Sequence, residues 1–230
     1  MGKEILYYGQ IKGFPLIKIN SKEIIEKTQN GSFYMNSLQY YRDLYKDKND
    51  EIIGDPFEGK IYVHNAIMNV NGEKIVIKDD GLSTPNENDY VYCMFGVNPQ
   101  LNTTFTFDDE QKEKLIGFND TALIIMDVYE YCRRIFENAQ KNGYQIQSNF
   151  VNYYDETNSD IQRMIDLYKK GLENVVFQKR KKYAYQQEYR FTIPYIENVD
   201  HIEFNIGDIS DISEVFETRT LFNSVTNRIK

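Results

Sequence analysis

The sequence predicts an α+β fold: a single domain in which mixed, mostly antiparallel sheets are flanked by helices. Short apolar or alternating segments, which are typical of strands, recur along the chain, and segments with helical spacing lie between them without a regular β-α-β order. Neither an internal repeat nor a low-complexity linker divides the chain. Hydrophobic residues make up 41% of the 230 residues, which is enough for one sizeable core. We therefore expect residues 1–230 to form one domain.

Caps and turn residues define the predicted elements of the first half of the chain. Ser21 and Ser37 are suitable N-caps for helices, and Asn30-Gly31 is a suitable stop. Asn71-Gly72 between two apolar runs is the strongest short hairpin signal in the sequence. The predicted strands span residues 4–8, 32–35, 61–70, 74–78 and 91–97, the predicted helices span 21–29 and 38–45, and polar connections span 46–60 and 79–89.

The second half of the chain continues the same mixture. Gly143 and Gly171 follow helical patterns as stops, and Pro194 ends an alternating run. Residues 101–120 favour neither helix nor strand. The predicted strands span residues 121–128, 144–154, 175–177 and 186–193, the predicted helices span 129–142 and 160–170, and one more strand and a short helix are expected after residue 202.

The composition argues against several broad functions. The 27 basic and 35 acidic residues give a net charge of −8, which opposes non-specific binding to nucleic acids and to anionic membranes. Two cysteines without a C-x-x-C spacing argue against a disulfide scaffold and against a cysteine zinc site. No stretch approaches the roughly 18 apolar residues of a membrane span, and none resembles a signal peptide. We therefore expect a cytoplasmic protein with no membrane partner.

The common catalytic signatures are missing from the sequence. It has neither a glycine-rich dinucleotide motif nor a P-loop, and no G-x-S-x-G motif. The two histidines, His64 and His201, cannot form a multi-histidine metal centre, so no metal site is predicted. The loop at residues 54–59 places Asp55 and Glu58 between glycines, a pattern that suits a cation, a ribose hydroxyl or a rigid turn.

A second candidate is the polar face of residues 186–193. Period-2 alternation places Gln186, Glu188 and Arg190 on one face of the predicted strand. An amide, a carboxylate and a guanidinium on one face indicate either a solvated edge strand or the lining of a site. The basic residues at 179–182 are expected to form a solvated loop or to approach a nucleic-acid acceptor.

Short motifs in this chain resemble those of the ADP-ribosyltransferase superfamily. Gln186-Gln187-Glu188 resembles its third motif, Gln-x-Glu on a strand, and Leu6-Tyr7-Tyr8-Gly9 resembles the first-strand motif of the branch with a His-Tyr-Glu signature. Tyr8 stands where that branch has histidine. Ile24, Ile25 and residues 31–34 resemble the helix and strand that follow in that branch.

The order of four further segments resembles the DUF2971-like proteins of bacteria and phages. They are Tyr41-Arg42, residues 54–59, residues 92–95 and residues 177–190. A role in phage-host defence is expected under the alternative in which the protein is a non-catalytic module that senses a nucleotide or a protein partner.

The first resemblance implies an ADP-ribosyltransferase-like fold and cleavage of the nicotinamide-ribose bond of NAD, with transfer of ADP-ribose to a protein or nucleic-acid acceptor. A carboxylate beside the ribose stabilises the oxocarbenium-like transition state. Glu188 has that role by position, and Gln186 orients the acceptor. Tyr41 is expected to stack on nicotinamide, and Arg42 or Arg190 to hold the diphosphate. The expected NAD-binding residues are Tyr8, Gly9, Tyr41, Arg42 and Arg190.

Two other functions remain open on the sequence alone. The many tyrosines and the missing histidine favour a non-catalytic module that binds a nucleotide or a protein partner. A metal-dependent nuclease that uses Asp55, Glu58 and Glu188 is the third hypothesis.

Overall fold

An eight-stranded antiparallel sheet organises the protein in a computed structural model, which describes residues 11–48, 52–63, 66–70, 72–78, 80–96, 109–156, 166 and 174–225. The helices are α1 (Lys22–Gln29), α2 (Leu38–Lys48), α3 (Asp109–Ile116), α4 (Val128–Lys141) and α5 (Thr218–Val225), with short 3₁₀ helices at Val175–Phe177 and Lys181–Gln186. The strands are β1 (Leu16–Asn20), β2 (Ser32–Ser37), β3 (Ile61–Val63), β4 (Ala66–Val70), β5 (Glu73–Ile77), β6 (Asp80–Leu82), β7 (Tyr90–Gly96), β8 (Thr121–Ile125), β9 (Gln147–Phe150), β10 (Asn152–Tyr154), β11 (Gln178–Arg180), β12 (Glu188–Ile193), β13 (His201–Asn205) and β14 (Ser213–Glu217).

The predicted fold class is confirmed. Helices and strands mix in one compact domain, and every strand pair among the described residues is antiparallel except β10 with β11. Within the described ranges, every helix is too short or too polar to cross a membrane.

The helices that begin at a predicted cap residue formed at the expected positions. The Ser21 hydroxyl accepts from the Ile24 amide at the start of α1, and the Ser37 hydroxyl accepts from the Tyr40 amide at the start of α2. Gly31 follows α1 at φ +100°, a conformation that glycine adopts without a steric penalty. The hairpin is also confirmed, because β4 and β5 pair in antiparallel register from Ala66 with Ile77 to Val70 with Glu73, and Gly72 before β5 has a φ of +90°.

Four predicted elements differ from the structure. Residues 61–63 pair with β6 inside the predicted polar connection, so they do not belong to the hairpin. Residues 144–154 form two short strands, β9 and β10, in different sheets. Residues 175–177 form a 3₁₀ helix, because Asn174 caps it by accepting from the Val176 amide. The tail after residue 202 holds two strands, β13 and β14, before α5. The predicted strand at 4–8 and the predicted helix at 160–170, except Asp166, lie outside the described residues.

The two faces of the large sheet carry different layers. On one face, β7 and β12 pack Tyr92 and Phe191 against α1 and α4 in an apolar core. On the other face, a core of smaller size joins β1 and β8 to α3 and α5. A third cluster lies beside it and joins α2 to β7 and to the 3₁₀ helix at Val175–Phe177. The space between these last two clusters is where a cavity opens.

Strand β7 has a gap in its pairing at the centre of the sheet. One edge of β7 pairs with β12 along its whole length. Its other edge pairs with β2 at Tyr90 and Val91 and with β1 at Phe95 and Gly96. Beyond these pairs, β1 continues alongside β8, and β2 continues alongside β13. In the described part of the chain, residues 92–94 therefore have no strand partner on this edge of β7. We call residues 92–94 of this edge the β7 gap.

Candidate functional site

A cavity of about 300 Å³ opens on the sheet face that carries α2, α3 and α5, a size at the lower end of the range for ligand sites. Its floor is formed by β1, β7 and β12, and its walls come from α2, the loop at 52–58 and the segment after α3. Tyr40 and Ile53 are the most exposed lining side chains, at 44% and 38%, and they mark its mouth. The charged lining residues are Lys18, Glu58, Lys179, Glu188 and Arg190.

Strand alternation brings Glu188 and Arg190 to the floor of the cavity, as predicted. They lie opposite Phe95 and Cys93 of β7, whose side chains face the same way, while Tyr189 and Phe191 enter the apolar core. This face is neither solvated nor at the edge of the sheet, because β12 lies between β7 and β9. Glu188 is 6% exposed and Arg190 is 1% exposed.

Gln186 also lies at the cavity floor, but it belongs to a different element from the predicted one. It ends a 3₁₀ helix and is not part of the strand, because Gln187 has a φ of 40° and turns the chain between the two elements. Its side-chain amide nitrogen donates to the Ile52 carbonyl, and its oxygen accepts from the Lys179 ammonium at 2.7 Å. Gln186 therefore links the loop before Glu58 to the charged floor.

Two cations and two carboxylates alternate in a closed ring on this floor. The ammonium nitrogen of Lys179 lies 2.5 Å from Glu188 Oε1 and 3.2 Å from Glu58 Oε2. Nε of Arg190 donates to Glu188 Oε2 at 2.8 Å, and its Nη2 lies 2.8 Å from Glu58 Oε1. We call Lys179, Glu188, Arg190 and Glu58 the charge ring. Its net charge is zero and its four members are buried, although Glu58 Oε1 is left without a hydrogen bond.

The ring keeps Glu188, Lys179 and Arg190 ionised. Burial alone would raise the pKa of the Glu188 carboxyl, but the charges of Arg190 and Lys179 outweigh burial and hold that pKa well below its usual range. Burial would likewise lower the pKa of Lys179, and the charges of Glu188 and Glu58 raise it instead. Cys93 lines the cavity beside the ring, and burial raises the pKa of its thiol to about 12, which leaves it protonated and unreactive.

The loop at 54–59 supplies Glu58 to the ring. Asp55 fixes the start of this loop, since it accepts from the Phe57 amide at 3.0 Å. Gly59 ends it at φ +73°, where a Cβ would lie 2.7 Å from the Leu38 side chain. The loop is therefore a rigid turn that carries one carboxylate, Glu58, into the cavity, and its binding of a cation or a ribose hydroxyl stays a prediction.

Tyr41 and Arg42 are neighbours on α2, but only Tyr41 lines the cavity. Its hydroxyl pairs with the Asn36 side chain. The guanidinium of Arg42 is buried and donates to the carbonyls of Glu58 and Glu87, to Gln39 and to Asn88. Arg42 thus ties α2 to two loops and does not line the cavity. Tyr8 and Gly9 lie outside the described residues.

Lys18 fills the β7 gap and belongs to none of the sequence motifs described above. Its ammonium group donates to the Cys93 carbonyl at 2.8 Å and lies 4.1 Å from the centre of the Tyr92 ring. The only signal in the sequence was a lysine inside an otherwise apolar strand, Leu16-Ile17-Lys18-Ile19. Burial lowers the pKa of Lys18, an effect that the negative charge of Glu188 partly opposes.

The three carboxylates of the nuclease hypothesis do not form a metal site. Asp55 pairs with Arg180 at 2.6 Å, whereas Glu58 and Glu188 belong to the charge ring. No group of three or more acidic, histidine or cysteine side chains in the described part of the chain is placed to hold a metal ion.

No protein-family model, no curated protein and no solved structure matches this chain. The resemblance to ADP-ribosyltransferases and to DUF2971-like proteins therefore stays a prediction from sequence motifs. The function has to be argued from the cavity itself.

Proposed function

We propose that the protein binds a nucleotide such as NAD in the cavity over the charge ring. The observation that carries this proposal is that Tyr41, Glu58 and Glu188, from three distant segments, line one cavity. An aromatic wall suits a flat base, and the carboxyl groups of the floor suit ribose hydroxyls. The volume suits one base with its sugar, so the second half of a dinucleotide would extend past Tyr40 and Ile53 at the mouth.

Transfer of ADP-ribose is the reaction that fits this site. An ADP-ribosyltransferase-like fold is part of the same proposal. Glu188 is ionised, as stabilisation of an oxocarbenium-like transition state requires. A carboxylate offers about four acceptor positions, and its two ring partners leave Glu188 able to accept from a ribose hydroxyl. Gln186 is the neighbouring group for an acceptor.

Binding without turnover is the second candidate, and the charge ring favours it. Lys179 and Arg190 contact both oxygens of Glu188 and offset the negative charge that would stabilise a cationic transition state. A nucleotide sensor needs only the cavity and its polar floor.

Two measurements on the same samples separate these functions. Calorimetry with NAD measures binding, and radiolabelled NAD with a cell extract measures release of nicotinamide and labelling of an acceptor. Glu188→Gln keeps the shape of the side chain, and Glu23→Gln on the exposed face of α1 is the matched control. If transfer is the function, Glu188→Gln lowers turnover about 100-fold to 1,000-fold and leaves NAD binding in place.

Binding of NAD without turnover by the unmodified protein selects the sensor instead. Absence of binding by NAD and by other nucleotides overturns the proposal as a whole. Equal turnover by Glu188→Gln and by Glu23→Gln removes Glu188 from the reaction.

A further inference from the structure

The cavity holds one cation more than it holds carboxylates. Lys18, Lys179 and Arg190 line it together with Glu58 and Glu188, although the whole chain carries a net charge of −8. Because the charge ring is neutral by itself, the excess belongs to Lys18. In the described part of the chain, no carboxylate oxygen lies within 4 Å of its ammonium nitrogen.

The ammonium of Lys179 has its three donors committed, whereas that of Lys18 does not. The ammonium of Lys179 has three acceptors, on Gln186, Glu188 and Glu58, which matches its three N–H groups. The guanidinium of Arg190 also donates to the Val176 carbonyl. Lys18 uses one N–H for the Cys93 carbonyl, so among the described contacts two remain for a ligand.

We propose that Lys18 is the phosphate-binding group of the cavity and makes the site select nucleotides over nucleosides. This inference rests on the proposed nucleotide binding and deepens it. An ammonium acts as a point charge toward phosphate and needs no bidentate geometry. The β7 gap holds it in place, since the unpaired edge of the strand offers the Cys93 carbonyl as an anchor. The negative field of the whole chain repels anions elsewhere, so this cavity is the place where one binds.

The test compares AMP with adenosine, which differ by the phosphate alone. Calorimetry is run on the unmodified protein, on Lys18→Met, which keeps the length of the side chain without charge, and on Lys18→Arg. Lys22→Met is the matched control, because Lys22 is 78% exposed on α1. We expect AMP to bind at least about 10-fold more tightly than adenosine, a preference that Lys18→Met abolishes and Lys18→Arg keeps in part.

Inorganic phosphate is an independent probe that involves no nucleotide. We expect it to raise the melting temperature of the unmodified protein and of Lys22→Met, and to have no such effect on Lys18→Met. Circular dichroism of Lys18→Met verifies that the variant is folded.

Each other result has a definite meaning. Equal affinities for AMP and adenosine, or a preference for AMP that survives in Lys18→Met, overturn the role of Lys18 and leave nucleotide binding intact. Failure of both compounds to bind overturns the proposed function. The melting temperatures with inorganic phosphate then test whether Lys18 binds an anion. If phosphate stabilises Lys18→Met as much as the unmodified protein, Lys18 is not an anion site.

Discussion

Lys179 and Arg180 are adjacent buried cations on β11 that serve two different regions of the molecule. Lys179 faces the cavity and belongs to the charge ring. Arg180 points the opposite way, pairs with Asp55 at 2.6 Å and lies 4.9 to 5.6 Å from the rings of Phe57, Tyr62 and Tyr183. The second region, which we call the Arg180 box, contributes no residue to the cavity.

The difference shows that a buried ion pair does not by itself mark a ligand site. Both regions contain charges that are buried and paired, and both connect the loop at 54–59 to β11. Only the charge ring lines the cavity. The Arg180 box is therefore expected to act on stability alone, and the charge ring on stability and on ligand binding.

The largest effect is expected from the Arg180 box. Arg180→Met leaves the Asp55 carboxylate, which is 1% exposed, without its partner, and such a loss destabilises a protein by about 3–5 kcal/mol. Urea unfolding measures the change in free energy. Lys181→Met at the next, exposed position is the control and is expected to have little effect. Loss of AMP affinity in the folded Arg180→Met protein would contradict the separation of the two regions.

A smaller loss of stability is expected in the charge ring, together with a change in binding. Glu188→Gln still accepts a hydrogen bond, so we expect it to lower the free energy of unfolding by about 1–3 kcal/mol. It also raises the excess of positive charge in the cavity, and AMP is expected to bind more tightly while turnover of NAD falls. Glu58→Gln makes the same charge change and is expected to strengthen AMP binding as well. Weaker binding of AMP to both variants would contradict the view that the positive charge of the cavity attracts the phosphate.

The charge ring also predicts how stability depends on pH. The folded-state pKa of Glu188 lies below its usual value of 4.5, so the ring's contribution is fully present above pH 4.5 and is lost as the pH falls through the folded-state value. The urea midpoint of the unmodified protein is therefore expected to drop more steeply below pH 4.5 than that of Glu188→Gln. Parallel curves for the two proteins would show that Glu188 does not have this pKa.

The smallest effect is expected at Tyr41 on the cavity wall. Tyr41→Phe removes the hydroxyl that pairs with Asn36 and keeps the ring, so stability is expected to fall by about 1 kcal/mol or less and AMP affinity to stay unchanged. Tyr41→Ala removes the stacking surface and is expected to weaken AMP binding by about 1–3 kcal/mol. Equal AMP affinities for these two variants, measured by calorimetry, would show that no base stacks there.

The local parts of the candidate site were predictable, since they depend on neighbours in the sequence. Alternation along β12 placed Glu188 and Arg190 on one face, and Ser37 predicted the start of the helix that carries Tyr41. Gln186 was assigned to the wrong element, because the left-handed backbone of Gln187 interrupts a pattern that reads as one continuous strand. Arg42 was predicted to bind the diphosphate. Its guanidinium instead donates to two carbonyls that lie 16 and 45 positions further along the chain.

What the sequence by itself determined is the class of fold, the positions of α1, α2 and α4 and the alternation of side chains along strands, because caps, turns and period-2 patterns act over a few residues. The tertiary structure alone decided that Glu58 and Lys179 would complete a ring around Glu188, and that β1 and β2 would diverge and leave Lys18 in the β7 gap. The contacts of Glu58 with Lys179 and of Lys18 with Cys93 join segments more than seventy residues apart. The packing of the sheet selects them, and no local pattern encodes which buried charges meet.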